Sequence, residues 1–215
     1  MSEIILMSDA RVAAIPVREC AEQLVDVRGF LLVDDRKHAD SHGAEVHVRQ
    51  GVADRLVQAE SLLPDGLRLL FVEGYRPPGL QRRYFEGYAE TLRAGHPDWP
   101  AERIRAAASR YVSPPEIAPH TAGAAVDLTL ADADGRELDL GTRMNATPEE
   151  SAGACYTDAD GISAEARAHR ALLGRALRGA GLVNYPTEWW HWSYGDRYWA
   201  LVTGAPAALY GTWDD

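Results

Sequence analysis

Two histidines and two carboxylates stand apart in this chain, because their neighbours would force them together or bury them. His120 precedes Thr121-Ala122-Gly123-Ala124-Ala125, a run of small residues that lets the backbone bend and approach another segment closely. Seven positions on, Asp127 lies in the stretch Ala124 to Leu130. There Val126, Leu128 and Leu130 alternate with Ala125, Asp127 and Thr129, the period of a strand. A carboxylate inside such a strand is costly unless it is paired or binds a metal. A structural Asp bonded to backbone groups has the same pattern. The second pair sits in Glu188-Trp189-Trp190-His191-Trp192, where three tryptophans surround an imidazole and a carboxylate. Neutral imidazoles and a carboxylate suit zinc, and His120, Asp127 and His191 would leave a fourth position for water. Glu188 beside that water could take its proton. A flat strand puts positions 188 and 191 on opposite faces, so this reading requires a twist or bulge. On spacing alone, a tryptophan-rich core strand with an incidental His and Glu accounts for the segment equally well.

Arg76 is the remaining candidate. In Glu73-Gly74-Tyr75-Arg76-Pro77-Pro78 the prolines stiffen the turn and fix its direction. A guanidinium there could polarise a scissile carbonyl or hold a developing oxyanion; a salt bridge is the alternative.

These residues need elements to position them. Gly29 to Val33 reads as a short buried strand in an otherwise irregular first fifty residues. The spacing predicts a helix over Gln50 to Leu63, stopped by Pro64-Asp65-Gly66, and a buried strand over Leu67 to Val72. Helices follow at Leu80 to Ala94 and at Ala101 to Val112, the latter ended by Ser113-Pro114-Pro115. The Asp127 strand leads into the hairpin turn Asp134-Gly135 and a returning strand at Glu137 to Leu140. After a turn-rich stretch, Ser163 caps a helix running to about Ala180, closed by Gly181. Leu182 to Tyr185 and Trp189 to Tyr194 read as the last strands. The layout is α+β: a single domain, residues 1–215, with helices packed on one mainly antiparallel sheet.

Composition narrows the function classes. Of 215 residues, 46% are apolar and 25% charged, enough for a full core without disulfides. A formal net charge of −10 argues against nucleic acid or anionic membrane as partners. Cys20 and Cys155 lie in no metal-binding pattern and read as two free thiols, buried or half-buried. Ile4–Met7 is too short for a signal-peptide core and no stretch approaches a membrane span, so a cytoplasmic protein is expected. His38, His42 and His47 read as exposed loop residues, and His96 and His169 need no special role. Asp132-Ala133-Asp134-Gly135 and Asp158-Ala159-Asp160-Gly161 look like calcium loops, but the first ligand position would be Leu130 or Tyr156. Both are turns.

The segments Glu73-Gly74-Tyr75-Arg76-Pro77, His120-x-x-Gly123-x-Ala125-x-Asp127-Leu128-Thr129-Leu130 and Glu188-Trp189-Trp190-His191 together resemble the D-alanyl-D-alanine dipeptidases of the vancomycin-resistance type. These belong to the zinc D,D-peptidases related to D-Ala-D-Ala carboxypeptidases and the Hedgehog signalling domain. The similarity covers about residues 52–199. It implies one Zn2+ per chain on His120, Asp127 and His191, with Glu188 activating the attacking water and Arg76 stabilising the transition state. It implies a small peptide substrate, D-Ala-D-Ala or a close relative. Two departures bear on the pocket. Ala118 stands where many relatives carry Ser, and Asn145, in Gly141-Thr142-Arg143-Met144-Asn145, stands where an aspartate usually meets the substrate's ammonium. An amide is a weaker partner for a cation than a carboxylate. With Tyr75 and Trp190, these two are the candidate substrate contacts. The alternatives are a zinc amide hydrolase of the same fold acting on an acylated, longer or non-standard peptide, in a biosynthetic pathway, and a non-catalytic binding module. The intact set of ligands, base and arginine argues against the last.

Overall fold

The computed structural model describes residues 4–34 and 43–213; His38 and His42 lie outside them. Helix α1 (Ala10–Ala14) is capped by Asp9, whose side chain accepts from the Arg11 N–H. Strands β1 (Leu24–Asp26), β2 (Leu32–Val33) and β3 (His47–Arg49) follow, then α2 (Gln50–Ser61), β4 (Leu67–Glu73), α3 (Pro78–Gly95) and α4 (Ala101–Ala108). A 3-10 turn (Pro119–Ala122) leads into β5 (Ala125–Asp132). The rest of the chain carries α5 (Ala164–Gly179), β6 (Val183–Asn184), β7 (His191–Ser193) and α6 (Arg197–Thr203).

The main sheet runs β2-β4-β5-β7-β6, and β1 pairs with β3 in a separate two-stranded sheet. Every pairing in the main sheet is antiparallel except β2 with β4, so the sheet is mixed, with its parallel pair at one edge. The alternation in β5 dictates the packing. Val126, Leu128 and Leu130 face a core closed by Val52 and Leu56 of α2 and Leu173 and Leu177 of α5. Ala125, Asp127 and Thr129 occupy the opposite face and are buried too. A second apolar cluster joins α3 to α4 through Phe85, Ala89, Leu92, Ile104 and Ala108. No helix among the described residues is long and apolar enough to cross a membrane.

Several boundaries differ from the sequence reading, each for a local reason. Helix α4 stops at Ala108, and the chain runs on to Val112 in looser turns, with Arg110 N–H donating to the Ala107 carbonyl and Tyr111 and Val112 N–H to that of Ala108. The strand expected at Gly29 to Val33 is reduced to Leu32–Val33, since Val27–Gly29 forms a 3-10 turn capped by Asp26. The return over Glu137 to Leu140 is one bridge, Ala131 to Glu137, before Gly141 turns the chain at φ 91°. The described part of the first fifty residues holds one short helix, two 3-10 turns and three short strands, each too brief to show a period. Cys155 is buried, but Cys20 is exposed; both are free thiols. His47 is half-buried at the start of β3 rather than exposed in a loop, with Nδ1 3.0 Å from the Gly43 carbonyl.

The turn after β4 is clamped on three sides. Gly74 N–H donates to the Glu45 carbonyl, Tyr75 N–H to that of His47 and Arg76 N–H to that of His120. A Cβ on Gly74 would stand 2.4 Å from the His47 carbonyl oxygen. Overpacking of this kind costs roughly 1–3 kcal/mol. Gly74→Ala is therefore expected to lower the melting temperature by about 4–8 °C, the shift that about 2 kcal/mol produces in a chain of this size. Calorimetry showing an unchanged melting temperature would mean that the turn is looser than its hydrogen bonds imply.

Candidate active site

Asp127 is the fixed point. It lies on the central strand β5, opposite Glu73 of β4 on one side and His191 of β7 on the other. Directly opposed residues of neighbouring strands share a face, so all three point the same way. Glu73 reaches this register through an irregularity between Phe71 and Glu73, where β4 carries one residue more than β5. His120 arrives from the 3-10 turn. Gly123 ends that turn at φ 65°, and a Cβ there would stand 2.4 Å from Leu24. The run of small residues after His120 is thus needed for both conformation and space.

Three ligand-type atoms converge. His191 Nδ1 lies 3.1 Å from Asp127 Oδ1, His120 Nε2 lies 3.4 Å from the same oxygen, and the two ring nitrogens are 3.2 Å apart. Tetrahedral zinc with ligands at about 2.0–2.1 Å would separate its donor atoms by about 3.3 Å, so the spacing fits. The tautomer fits as well. The Gly74 carbonyl, 2.7 Å from His120 Nδ1, can only accept. Nδ1 therefore carries the hydrogen, and Nε2 offers its lone pair. With the His191 hydrogen on Nε2, three acceptor atoms would face one another, and a cation between them would remove that conflict.

The electrostatics agree with the geometry. Burial alone would push the Asp127 carboxyl up, but the adjacent imidazoles of His120 and His191 outweigh it and hold the group well below its ordinary range. Burial pushes His191 down, toward the neutral form a metal requires. Arg76 lies across the same cavity. Burial disfavours its charge, but the Glu73 carboxylate more than compensates and raises its pKa.

Glu188 lies at the edge of the cluster, with Oε2 3.8 Å from His191 Nδ1. The conflict between positions 188 and 191 has a simple resolution: β7 begins only at His191, and Glu188 belongs to the preceding turn. Its N–H donates to the Tyr185 carbonyl, and its own carbonyl accepts from the His191 N–H. The tryptophans divide their work. Trp190 lines the cavity, while Trp192 donates its ring N–H to the Trp189 carbonyl and Trp189 donates to the Thr142 hydroxyl. The three do not jointly wall off the site, although all three are buried in the core.

The cavity has a volume of about 310 Å³. The predicted residues Arg76, His120, Asp127, Asn145, Glu188, Trp190 and His191 all line it. Tyr75 and Ala118 are outside the lining. Tyr75 turns away, its hydroxyl 3.4 Å from the Trp213 carbonyl, and Ala118 is buried at the start of the 3-10 turn. Sequence reasoning missed Glu73 and three tyrosines. Tyr84 and Tyr88 are one turn apart on α3, and Tyr111 follows α4. The spacing of Tyr84 and Tyr88 was a usable signal, because it places both on one helix face. His96 stacks on Trp99, and His169 Nδ1 is 2.7 Å from the Asp139 carbonyl; neither lines the cavity.

Such a site is equipped for metal-assisted hydrolysis, and comparison with known proteins puts the chain among the metallopeptidases. A family model described as D-Ala-D-Ala dipeptidase, peptidase family M15, matches residues 35–203. A D-alanyl-D-alanine dipeptidase of Synechocystis sp. is 29% identical over 219 residues, covering 87% of each chain. That of Enterococcus faecium is 30% identical over 153 residues, covering 68% of this chain and 72% of its own. Among solved structures, a zinc complex of a mutant of the vancomycin-resistance D,D-pentapeptidase VanY aligns over 94% of this chain and 96% of that one, at 15% identity and a TM-score of 0.46. The LD-carboxypeptidase LdcB aligns over 89% of this chain and 77% of that one, at 18% identity and 0.48. The chain belongs to the D-Ala-D-Ala dipeptidase family, peptidase family M15.

Asp127→Asn keeps the size of the central ligand and removes its charge. It is expected to weaken zinc binding by more than about 10²-fold, since loss of a group that merely holds a ligand costs roughly 10–100-fold. Zinc titration and elemental analysis of the purified variant would read this. Full occupancy in the variant would place the metal elsewhere.

Proposed function

We propose that this protein is a zinc-dependent dipeptidase that hydrolyses D-Ala-D-Ala or a closely related D-amino-acid dipeptide. The observation that carries the reading is the meeting, at one buried cavity, of the His120–Asp127–His191 cluster, the Glu188 carboxylate and the Arg76 guanidinium. The substrate class rests on the family and on the curated relatives of Synechocystis and Enterococcus faecium.

In this reading His120 Nε2, Asp127 Oδ1 and His191 Nδ1 hold one zinc ion. When bound, zinc supplies Lewis-acid polarisation and lowers the pKa of water to about 7. Glu188 takes the proton of the attacking water and passes it to the leaving nitrogen as the amide bond breaks. Arg76 donates toward the carbonyl oxygen as negative charge gathers there. Trp190 and Tyr111 form apolar walls that keep the dipeptide in register.

One observation favours a neighbouring reading. Asn145 lines the cavity, held in the left-handed region at φ 60° with its carbonyl accepting from the Tyr111 hydroxyl. It offers an amide where a free ammonium would favour a carboxylate. A substrate whose amino end is acylated, or continues into a longer chain, suits this wall better than a free dipeptide does.

Two measurements separate these possibilities. Zinc-loaded protein is expected to cleave D-Ala-D-Ala, and Glu188→Ala to lower turnover on the order of 10²-fold or more while retaining zinc. Near-normal turnover in that variant would remove Glu188 from the chemistry. Asn145→Asp is expected to raise kcat/KM on free-amine dipeptides by about 10-fold, the gain from turning a neutral hydrogen bond into a charge-assisted one. Aspartate also tolerates the left-handed backbone. No gain would mean that the ammonium is held elsewhere.

A further inference from the structure

We propose that Gln81 is a positioning residue for Arg76, fixing the guanidinium without cancelling its charge. The inference rests on the hydrolase reading for its kinetic arm only. The guanidinium is held at two of its three nitrogens. Arg76 Nε donates to Glu73 Oε1 at 2.7 Å, and Arg76 Nη1 donates to Gln81 Oε1, also at 2.7 Å. Gln81 is in turn oriented by donating from Nε2 to the Ser113 carbonyl at 2.7 Å. This last bond settles which end of the amide faces the arginine, because a carbonyl can only accept. Glu73 and Gln81 are 2% and 1% exposed, so both are locked by their surroundings. The Tyr84 ring lies 5.0 Å from the guanidinium carbon on a further side. The third nitrogen, Nη2, makes no hydrogen bond to the described residues, and Arg76 lines the cavity. The clamp thus leaves one nitrogen, with two N–H groups, for the substrate.

The types of the two holders are informative. Glu73 already offsets the arginine's charge where burial would otherwise disfavour it. A second carboxylate at position 81 would over-neutralise the guanidinium and weaken its pull on a carbonyl oxygen. A neutral amide supplies the same acceptor geometry at no electrostatic cost. Gln81 sits on the first turns of α3, just after the two prolines, so its direction follows from the rigid turn that also directs Arg76.

The test is nitrogen-15 NMR of the Arg76 side chain beside steady-state kinetics on D-Ala-D-Ala, with the zinc-loaded full chain. Wild-type protein is expected to show separate Arg76 Nη signals, with rotation about the Cζ–Nε bond hindered. Gln81→Met should speed that rotation at least 10-fold and lower kcat about 10-fold, with KM little changed. Gln81→Glu keeps an acceptor for Arg76 Nη1, so rotation should stay hindered, yet it should lower kcat, because it adds a second negative charge beside the guanidinium and sets a carboxylate oxygen against the Ser113 carbonyl. A merely structural Gln81, tying α3 to Ser113, would leave the Arg76 signals unaltered in Gln81→Met; that result overturns the proposal. So does free rotation in the wild-type protein, or a Gln81→Glu variant with wild-type kcat. Should Gln81→Met fail to fold, the wild-type and Gln81→Glu spectra still decide. Wild-type protein that binds zinc but cleaves no dipeptide would sink the functional reading alone, and the NMR comparison would still decide the role of Gln81.

Discussion

A carboxylate buried at the middle of the central strand is costly, and the rest of the site is organised around offsetting that cost. An ion removed from water loses several kcal/mol even after relaxation, and only close, well-aligned partners recover it. Asp127 meets two imidazole nitrogens at 3.1 and 3.4 Å, and a cation held among the three atoms would recover that cost. One imidazole comes from the strand paired beside it and the other from a turn bent by Gly123. The sheet register therefore sets ligand placement, and it is specified strongly because a one-residue slip would turn Asp127 into the Val126 and Leu128 core. Sites carried on strands hold their geometry better than sites on loops.

The charge inventory of the cavity leads to the same place by a separate route. Its lining contains three carboxylates, Glu73, Asp127 and Glu188, and one guanidinium, Arg76. With the imidazoles as neutral ligands, the excess is two negative charges among largely buried groups. A divalent cation balances it. Charge and donor spacing are independent properties of the cluster, and both call for the same ion. The three residues are accordingly a candidate metal site.

The centre of the fold was legible because strong local rules coincide there. The alternation of β5, the glycine and proline signals around α2, α3 and α5, and the cap at Ser163 all act within a few residues, and the elements formed where those signals placed them. What escaped was long-range or short-lived. Glu73 enters the site through an extra residue in β4, which no spacing in the sequence announces. The turn that frees Glu188 from the strand contains Pro186, a breaker that the sequence reading passed over, and is closed by the Tyr185 and Glu188 carbonyls. Tyr75 was drawn to the site by its neighbour Arg76, but adjacent residues of an extended segment point to opposite sides, and its hydroxyl faces Trp213.

The two halves of the cavity differ in how they are held, and this bears on what the family can vary. The metal side rests on the paired strands β4, β5 and β7 and on the 3-10 turn that carries His120. The other side is assembled from α3, the segment after α4, and the turns carrying Asn145. Those turns have little periodic structure and depend on a buried side chain, Arg170 of α5, whose guanidinium donates to the carbonyls of Leu140, Ala154 and Tyr156. One arginine thereby replaces the backbone ladder that a strand would have provided. Because the tether grips main-chain carbonyls, the side chains between its anchor points can change without loosening the loop. A wall built this way can exchange a carboxylate for Asn145, or line itself with tyrosines, while the strands keep the ligand atoms in place. Chemistry and substrate choice are thus held by separate sets of interactions, and a departure in one is no argument against the other.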